Sequence, residues 1–157
     1  MDCLLFGGAQ SVGKSESIYR LTTYLLGKGF VDILGKVPPV FKDFSAVLEG
    51  FDKNGKAVRV IINTATDTPD IIVNFRKFYD NNGSYDILIS SIRDYNFWPR
   101  AEFFSIMGIT HKSHQIIEIP LAKITRRGAN FTTALSWYYN HIDELSQHLI
   151  GYHPFNI

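Results

Sequence analysis

The 157-residue chain has one cysteine, Cys3. No disulfide can form within the chain, which excludes a disulfide-stapled scaffold and fits a reducing compartment. Cys3 lies inside an apolar run and reads as a small buried residue, not a nucleophile. An excess of one charge is also missing. Sixteen Lys and Arg face fifteen Asp and Glu, for a net charge of +1. No broad basic surface therefore calls for nucleic acid. No apolar run approaches the ~20 residues of a membrane helix. The first predicted strand starts almost at residue 1, leaving no room for a signal peptide. The expectation is a cytoplasmic protein with no membrane partner. Five histidines show no metal-ligand spacing, and no Ser-His-Asp or Cys-His arrangement can be argued. There is no internal repeat, low-complexity tract or linker, so residues 1–157 read as one domain with one sizeable core.

What is present is ordinary in bulk: 45% apolar and 20% charged residues. Aromatics reach 14%, with twelve Phe and eight Tyr, and exposed ones would offer a protein-partner surface. The informative stretch is "FGGAQSVGKSES", residues 6–17. It holds G-x-x-x-x-G-K-S at Gly8, Gly13, Lys14 and Ser15. Chance produces this pattern in roughly one chain in a hundred of this length, so context must decide. Cys3, Leu4, Leu5 and Phe6 form the continuous apolar run of a buried strand. Ile18, Leu21 and Leu25 then recur with helical period, and Gly27 is a stop signal. The order strand, glycine loop, helix is the one the pattern requires.

The chemistry follows. Gly8 and Gly13 open backbone conformations closed to other residues. The backbone from Gly8 through Ala9, Gln10, Ser11, Val12 and Gly13 to Glu16 would turn N–H groups toward an anion, aided by the helix N-terminus. Lys14 would reach the β- and γ-phosphates, and the Ser15 hydroxyl would ligate Mg²⁺. The competing reading is a tight turn with a solvated lysine.

These residues resemble the P-loop NTPase superfamily, specifically over residues 4–25 and more loosely beyond. The resemblance implies a largely parallel sheet flanked by helices, with a nucleotide at the carboxyl ends of the strands. The rest of the chain suits that plan. Pro38-Pro39 makes residues 29–42 the least regular stretch. An antiparallel hairpin is expected, residues 44–51 with 57–63, turning at Asn54-Gly55. A helix starts near Pro69, capped by Asp67 or Thr68. A strand over 85–91, a short helix over 99–107 and a strand over 114–121 follow. Phe131, Leu135, Tyr138, Ile142, Leu145 and Leu149 mark the apolar face of a closing helix. Residues 151–157 are expected to be loose. The predicted class is α/β: a three-layer α/β/α sandwich whose mostly parallel five-stranded sheet carries one antiparallel edge hairpin.

A hairpin directly after the first helix is similar to small GTPases, where its second strand ends in Asp-x-x-Gly. Here "VRVIIN" should lie beside the strand before the glycine loop. Asn63 falls where that family has its Mg²⁺-holding Asp, Thr66 where it has Gly, and Asp67 near its water-orienting Gln. Asn63 and Asp67 join Ser15 as metal-site candidates, and Lys14 and Asp67 are the catalytic candidates. Alternatively, Asn63 satisfies the strand end and Asp67 caps the next helix. The guanine-reading Asn-Lys-x-Asp is missing, as is a Thr in residues 29–45 to serve as a metal-binding switch. ATP is therefore favoured over GTP by elimination. "ILISSIRDYNFWPRAEFF" is also similar to small P-loop kinases, with Ser91 and Arg93 in the place of their Asp-x-Arg; no lid insertion is evident. Arg93, Arg100, Arg126 and Arg127 are possible phosphate or base contacts. The expected function is Mg²⁺-dependent binding of a purine nucleoside triphosphate, with hydrolysis or phosphoryl transfer. The alternatives are a small kinase acting on a nucleotide or other small acceptor, and a non-catalytic nucleotide-sensing or partner-binding module.

Overall fold

In the computed structural model, which describes residues 1–124 and 131–157, Cys3 to Phe6 are completely buried at the heart of a sheet. This run is strand β1 (Asp2–Gly7). It is followed by α1 (Lys14–Gly27), β2 (Val31–Asp32), β3 (Ser45–Phe51), β4 (Ala57–Asn63), α2 (Pro69–Asn81), β5 (Ile87–Ile92), α3 (Pro99–Met107), β6 (Gln115–Pro120) and α4 (Phe131–Ile150). Among the described residues, six strands run in the order β2-β3-β4-β5-β1-β6. β1 is parallel to β5 and β6, and β4 is parallel to β5. A strand with a parallel neighbour on each side is covered on both faces, which explains its unbroken apolar run.

Strand alternation divides the core. Leu4, Phe6, Leu48, Val60, Ile62 and Ile89 pack with Ile18, Leu21 and Leu25 of α1 and Ile142 and Ile150 of α4. Cys3, Leu5, Val47, Ile61 and Leu88 pack with Ile72 and Phe75 of α2 and Phe103 and Met107 of α3. Side chains of successive strand residues point to opposite faces, so each strand feeds both clusters.

Four expectations change. The sheet has six strands, not five, because Val31 and Asp32 pair antiparallel with Glu49 and Leu48. The expected edge hairpin is thus a three-stranded antiparallel unit. The pair is too short to leave a periodic signal, but buried Phe30 packs against Gly50 beside it. Second, β4 lies beside β5, not beside β1. The crossover through α2 seats β5 next to β4, and β1 takes the slot between β5 and β6. Third, the C-terminal residues are docked. Phe155 is buried, Asn156 C=O accepts from Lys53 N–H at 2.9 Å, and Ile157 N–H donates to Ile150 C=O at 2.9 Å. Fourth, the inner face of α4 passes through Ile142, Ser146 and Ile150, leaving Leu145 exposed. Ser146 enters the core because its hydroxyl donates to the Asp143 carbonyl at 2.9 Å. No helix is long and apolar enough to cross a membrane among the described residues.

Candidate functional site

The loop between β1 and α1 is anchored on both sides. Gly8 N–H donates to Ile92 C=O of β5 at 3.3 Å, and Gly7 C=O accepts from Leu121 N–H beyond β6 at 2.7 Å. Gly8 adopts φ 146° and Gly13 φ 90°, values that side chains resist. A Cβ at Gly8 would lie 2.9 Å from the Leu121 carbonyl, and one at Gly13 would lie 2.6 Å from the Tyr139 ring. Ser11, at φ 61°, completes the curl without glycine. Among the described residues, no side chain caps the start of α1. The N–H groups of its first turn are therefore available to an external acceptor.

The loop closes around Lys14. This lysine is only 7% exposed. Its Nζ donates to the carbonyls of Gly8 at 2.8 Å and Ala9 at 2.6 Å. A buried ammonium with no carboxylate partner, as here among the described residues, is costly. Burial, and then the nearby Arg93 guanidinium, push its pKa below the usual lysine range; Asp67 and Asp94 partly oppose this. The solvated-lysine reading is thereby overturned.

Ser15 Oγ donates to Thr64 C=O, just beyond β4, at 2.8 Å. This bond joins the start of α1 to the carboxyl end of β4 across β5 and β1. A cleft of about 260 Å³ opens there. Residues 10–16 form one wall, and Phe41, Asp43, Thr64, Asp67, Ser91 and Tyr139 form the rest. A second, more apolar cavity of about 430 Å³ shares Ser11, Val12 and Tyr139 with it and runs to Phe131, Leu135 and Tyr138.

The predicted residues outside the loop separate. Asp67 lines the cleft with Ser15. It does not cap α2; Thr68 does, its hydroxyl accepting from Ile71 N–H. The Asp67 carboxylate instead accepts from Arg93 Nη1 at 2.8 Å. Arg93 stacks over Phe97 at 4.8 Å, and its buried Nε has no partner among the described residues. Thr66 Oγ1, 3.2 Å from Ser91 Oγ, ties this loop to β5.

Asn63 is not brought to the cleft. Its amide oxygen accepts from Ser45 Oγ at 3.0 Å, and its Nδ2 donates to Ala65 C=O and Ser90 Oγ. The side chain ties together the ends of β3, β4 and β5, and it does not line the cleft. Arg100 is also committed elsewhere: it forks onto Glu118 at 2.9 and 2.6 Å. This two-point contact raises its pKa. Arg126 and Arg127 lie outside the described residues.

Phe41, Asp43 and Tyr139 line the cleft and escaped the sequence reading. Tyr139 shows only as a neighbour of Tyr138 on an amphipathic helix, yet its ring covers Gly13. Arg20 lies 5.1 Å over that ring and pairs with Asp143 at 2.6 Å, holding α4 to α1. Asp43 stands in an irregular segment, and only its place two residues before β3 pointed to a sheet end. No family model, curated protein or solved structure matches the chain.

Proposed function

We propose that this chain is a single-domain P-loop nucleotide-binding protein that takes a purine nucleoside triphosphate with Mg²⁺, ATP in preference to GTP. The supporting observation is the buried Lys14 ammonium enclosed by the Gly8 and Ala9 carbonyls at the uncapped start of α1. An incoming phosphate offers this cation stronger acceptors than the two carbonyls. The two core clusters, one shared with α1 and α4 and the other with α2 and α3, suit a three-layer α/β/α plan. The triphosphate would lie along residues 8–16, and the base would enter the second cavity past Tyr139. The preference for ATP rests on the missing Asn-Lys-x-Asp.

Oxygen donors suit a hard cation such as Mg²⁺, which is commonly held by one or two carboxylates together with substrate phosphates and waters. The Ser15 hydroxyl and the carboxylates lining the cleft are of this kind. When bound, the cation would neutralise charge on the phosphates. Lys14 would hold the terminal phosphates, and the first-turn N–H groups would orient them. In a transfer reaction Arg93 would face the acceptor side, beside Ser91.

A second reading, a nucleotide-sensing or partner-binding module, draws on a different observation. Asp67 is engaged by Arg93, which lessens its fitness as a base toward water. Beside this pair, Tyr95, Phe97 and Trp98 are exposed, a surface that a protein partner would cover.

Calorimetric titration with ATP, GTP and their diphosphates, with and without Mg²⁺, tests the proposal. ATP binding strengthened by Mg²⁺ is expected. No binding of any of the four overturns it. Steady-state phosphate release then separates enzyme from module.

A further inference from the structure

Three carboxylates line the phosphate cleft: Glu16, Asp43 and Asp67. Their surroundings differ. Asp67 is paired with Arg93 at 2.8 Å. Glu16 lies on the first turn of α1, near enough to Tyr139 to raise that phenol's pKa, after burial. Asp43 has no cationic partner among the described residues, and its carboxylate lies 3.2 Å from Thr64 Oγ1, whose one proton is shared with the Phe44 carbonyl at 3.1 Å. Thr64 is the residue whose carbonyl holds Ser15 Oγ at 2.8 Å. Thr64 thus stands between Asp43, met by its hydroxyl, and Ser15, met by its backbone carbonyl, and the second Asp43 carboxylate oxygen has no hydrogen bond among the described residues.

An unpaired carboxylate is an odd wall for a phosphate cleft. It repels a bare triphosphate. With a divalent cation between them, the same carboxylate attracts. The sign of its effect on nucleotide affinity therefore depends on the metal.

We infer that Asp43 is the acidic donor to the divalent cation accompanying the triphosphate, the part assigned from sequence to Asn63 and Asp67. This rests on the nucleotide reading above. Asn63 does not line the cleft and bonds instead to Ser45, Ala65 and Ser90, and Asp67 is ion-paired with Arg93 through Oδ1. Ser15 Oγ, the Asp43 carboxylate and the Thr64 carbonyl form an all-oxygen set at one end of the cleft. Asp43 also sits on the segment between β2 and β3, so cation loading would tie that segment to the start of α1.

The test is Asp43→Asn, which keeps an oxygen to accept from Thr64 and removes only charge. ATP affinity is measured by calorimetry in EDTA and across a Mg²⁺ titration, with thermal melting as the check on folding. In EDTA the variant should bind ATP as well as the wild type or several-fold better. Its Mg²⁺ half-saturation should rise about tenfold, the loss expected for one charge-assisted contact. Asp70→Asn, an exposed acid on α2 outside the cleft, controls for net charge and should change neither quantity. An unchanged Mg²⁺ requirement in folded Asp43→Asn overturns the assignment. The same shift in Asp67→Asn but not in Asp43→Asn moves the donor to Asp67 and also overturns it. Wild-type protein that binds no ATP in either condition defeats the nucleotide reading itself, a failure visible before any variant is made.

Discussion

Arg93 Nη1 donates to Asp67 Oδ1 at 2.8 Å, joining the end of β5 to the loop after β4 at the mouth of the cleft. The same guanidinium contributes to depressing the Lys14 pKa. Arg93 and Lys14 are thus two cations close enough to repel each other, with Asp67 between their effects. Asp67→Asn should release Arg93's charge toward the phosphates and tighten ATP binding. Asp67 is half exposed, so solvent limits the effect to about 0.2–1 kcal/mol, or up to about fivefold. The gain should be similar with and without Mg²⁺ and should shrink in high salt. Calorimetry at two ionic strengths checks it. A tenfold loss of turnover at unchanged affinity would instead give Asp67 a catalytic role.

Lys14→Ala should weaken triphosphate binding roughly 10- to 150-fold, from about 1.5–3 kcal/mol for one charge-assisted contact. Thermal stability should change much less, because the lost ammonium is costly to bury. Equal ATP affinity in variant and wild type sinks the phosphate role.

The depressed Lys14 pKa carries a pH signature. Between the folded-state value and the higher unfolded one, the unfolded chain binds more protons. Stability therefore rises with pH through that window. Phosphate favours the charged amine, so ATP binding there should take up protons and weaken as pH rises. Calorimetry in buffers of different ionisation enthalpy measures the uptake. Lys14→Met should abolish it, and uptake surviving in that variant would assign it to another group.

Gly13→Ala combines two costs. The left-handed backbone costs a Cβ-bearing residue about 1–2 kcal/mol, and the new methyl meets Tyr139 at 2.6 Å. Adding Tyr139→Ala should relieve the clash but not the strain. Chemical denaturation of the two variants and Tyr139→Ala alone separates the terms. A strictly additive double variant would show that the ring does not press on the loop.

Burial pushes the Cys3 thiol up to about 12. At pH 8 a thiol reagent should label it only as the chain unfolds. Rapid labelling of native protein would place Cys3 at the surface and contradict its burial in β1.

The strand, loop and helix around Lys14 were readable from sequence because their determinants are local: an apolar run, two glycines and a helical period. Thr68, Pro69 and Asn54-Gly55 likewise act on their own neighbours. Tertiary structure decided what depends on partners distant in the chain. The strand order required knowing that β1 is seated between β5 and β6. Asn63 and Asp67 looked alike as polar residues at and just beyond the end of one strand. The first is turned into bonds with Ser45 and Ser90, and the second meets Arg93 in the cleft. Asp43 carries no local signal beyond its place two residues before β3. It reaches the site because β3 pairs with β4 and its side chain meets Thr64. A carboxylate's role follows from the charges around it, and those are fixed by packing between segments that the sequence keeps far apart.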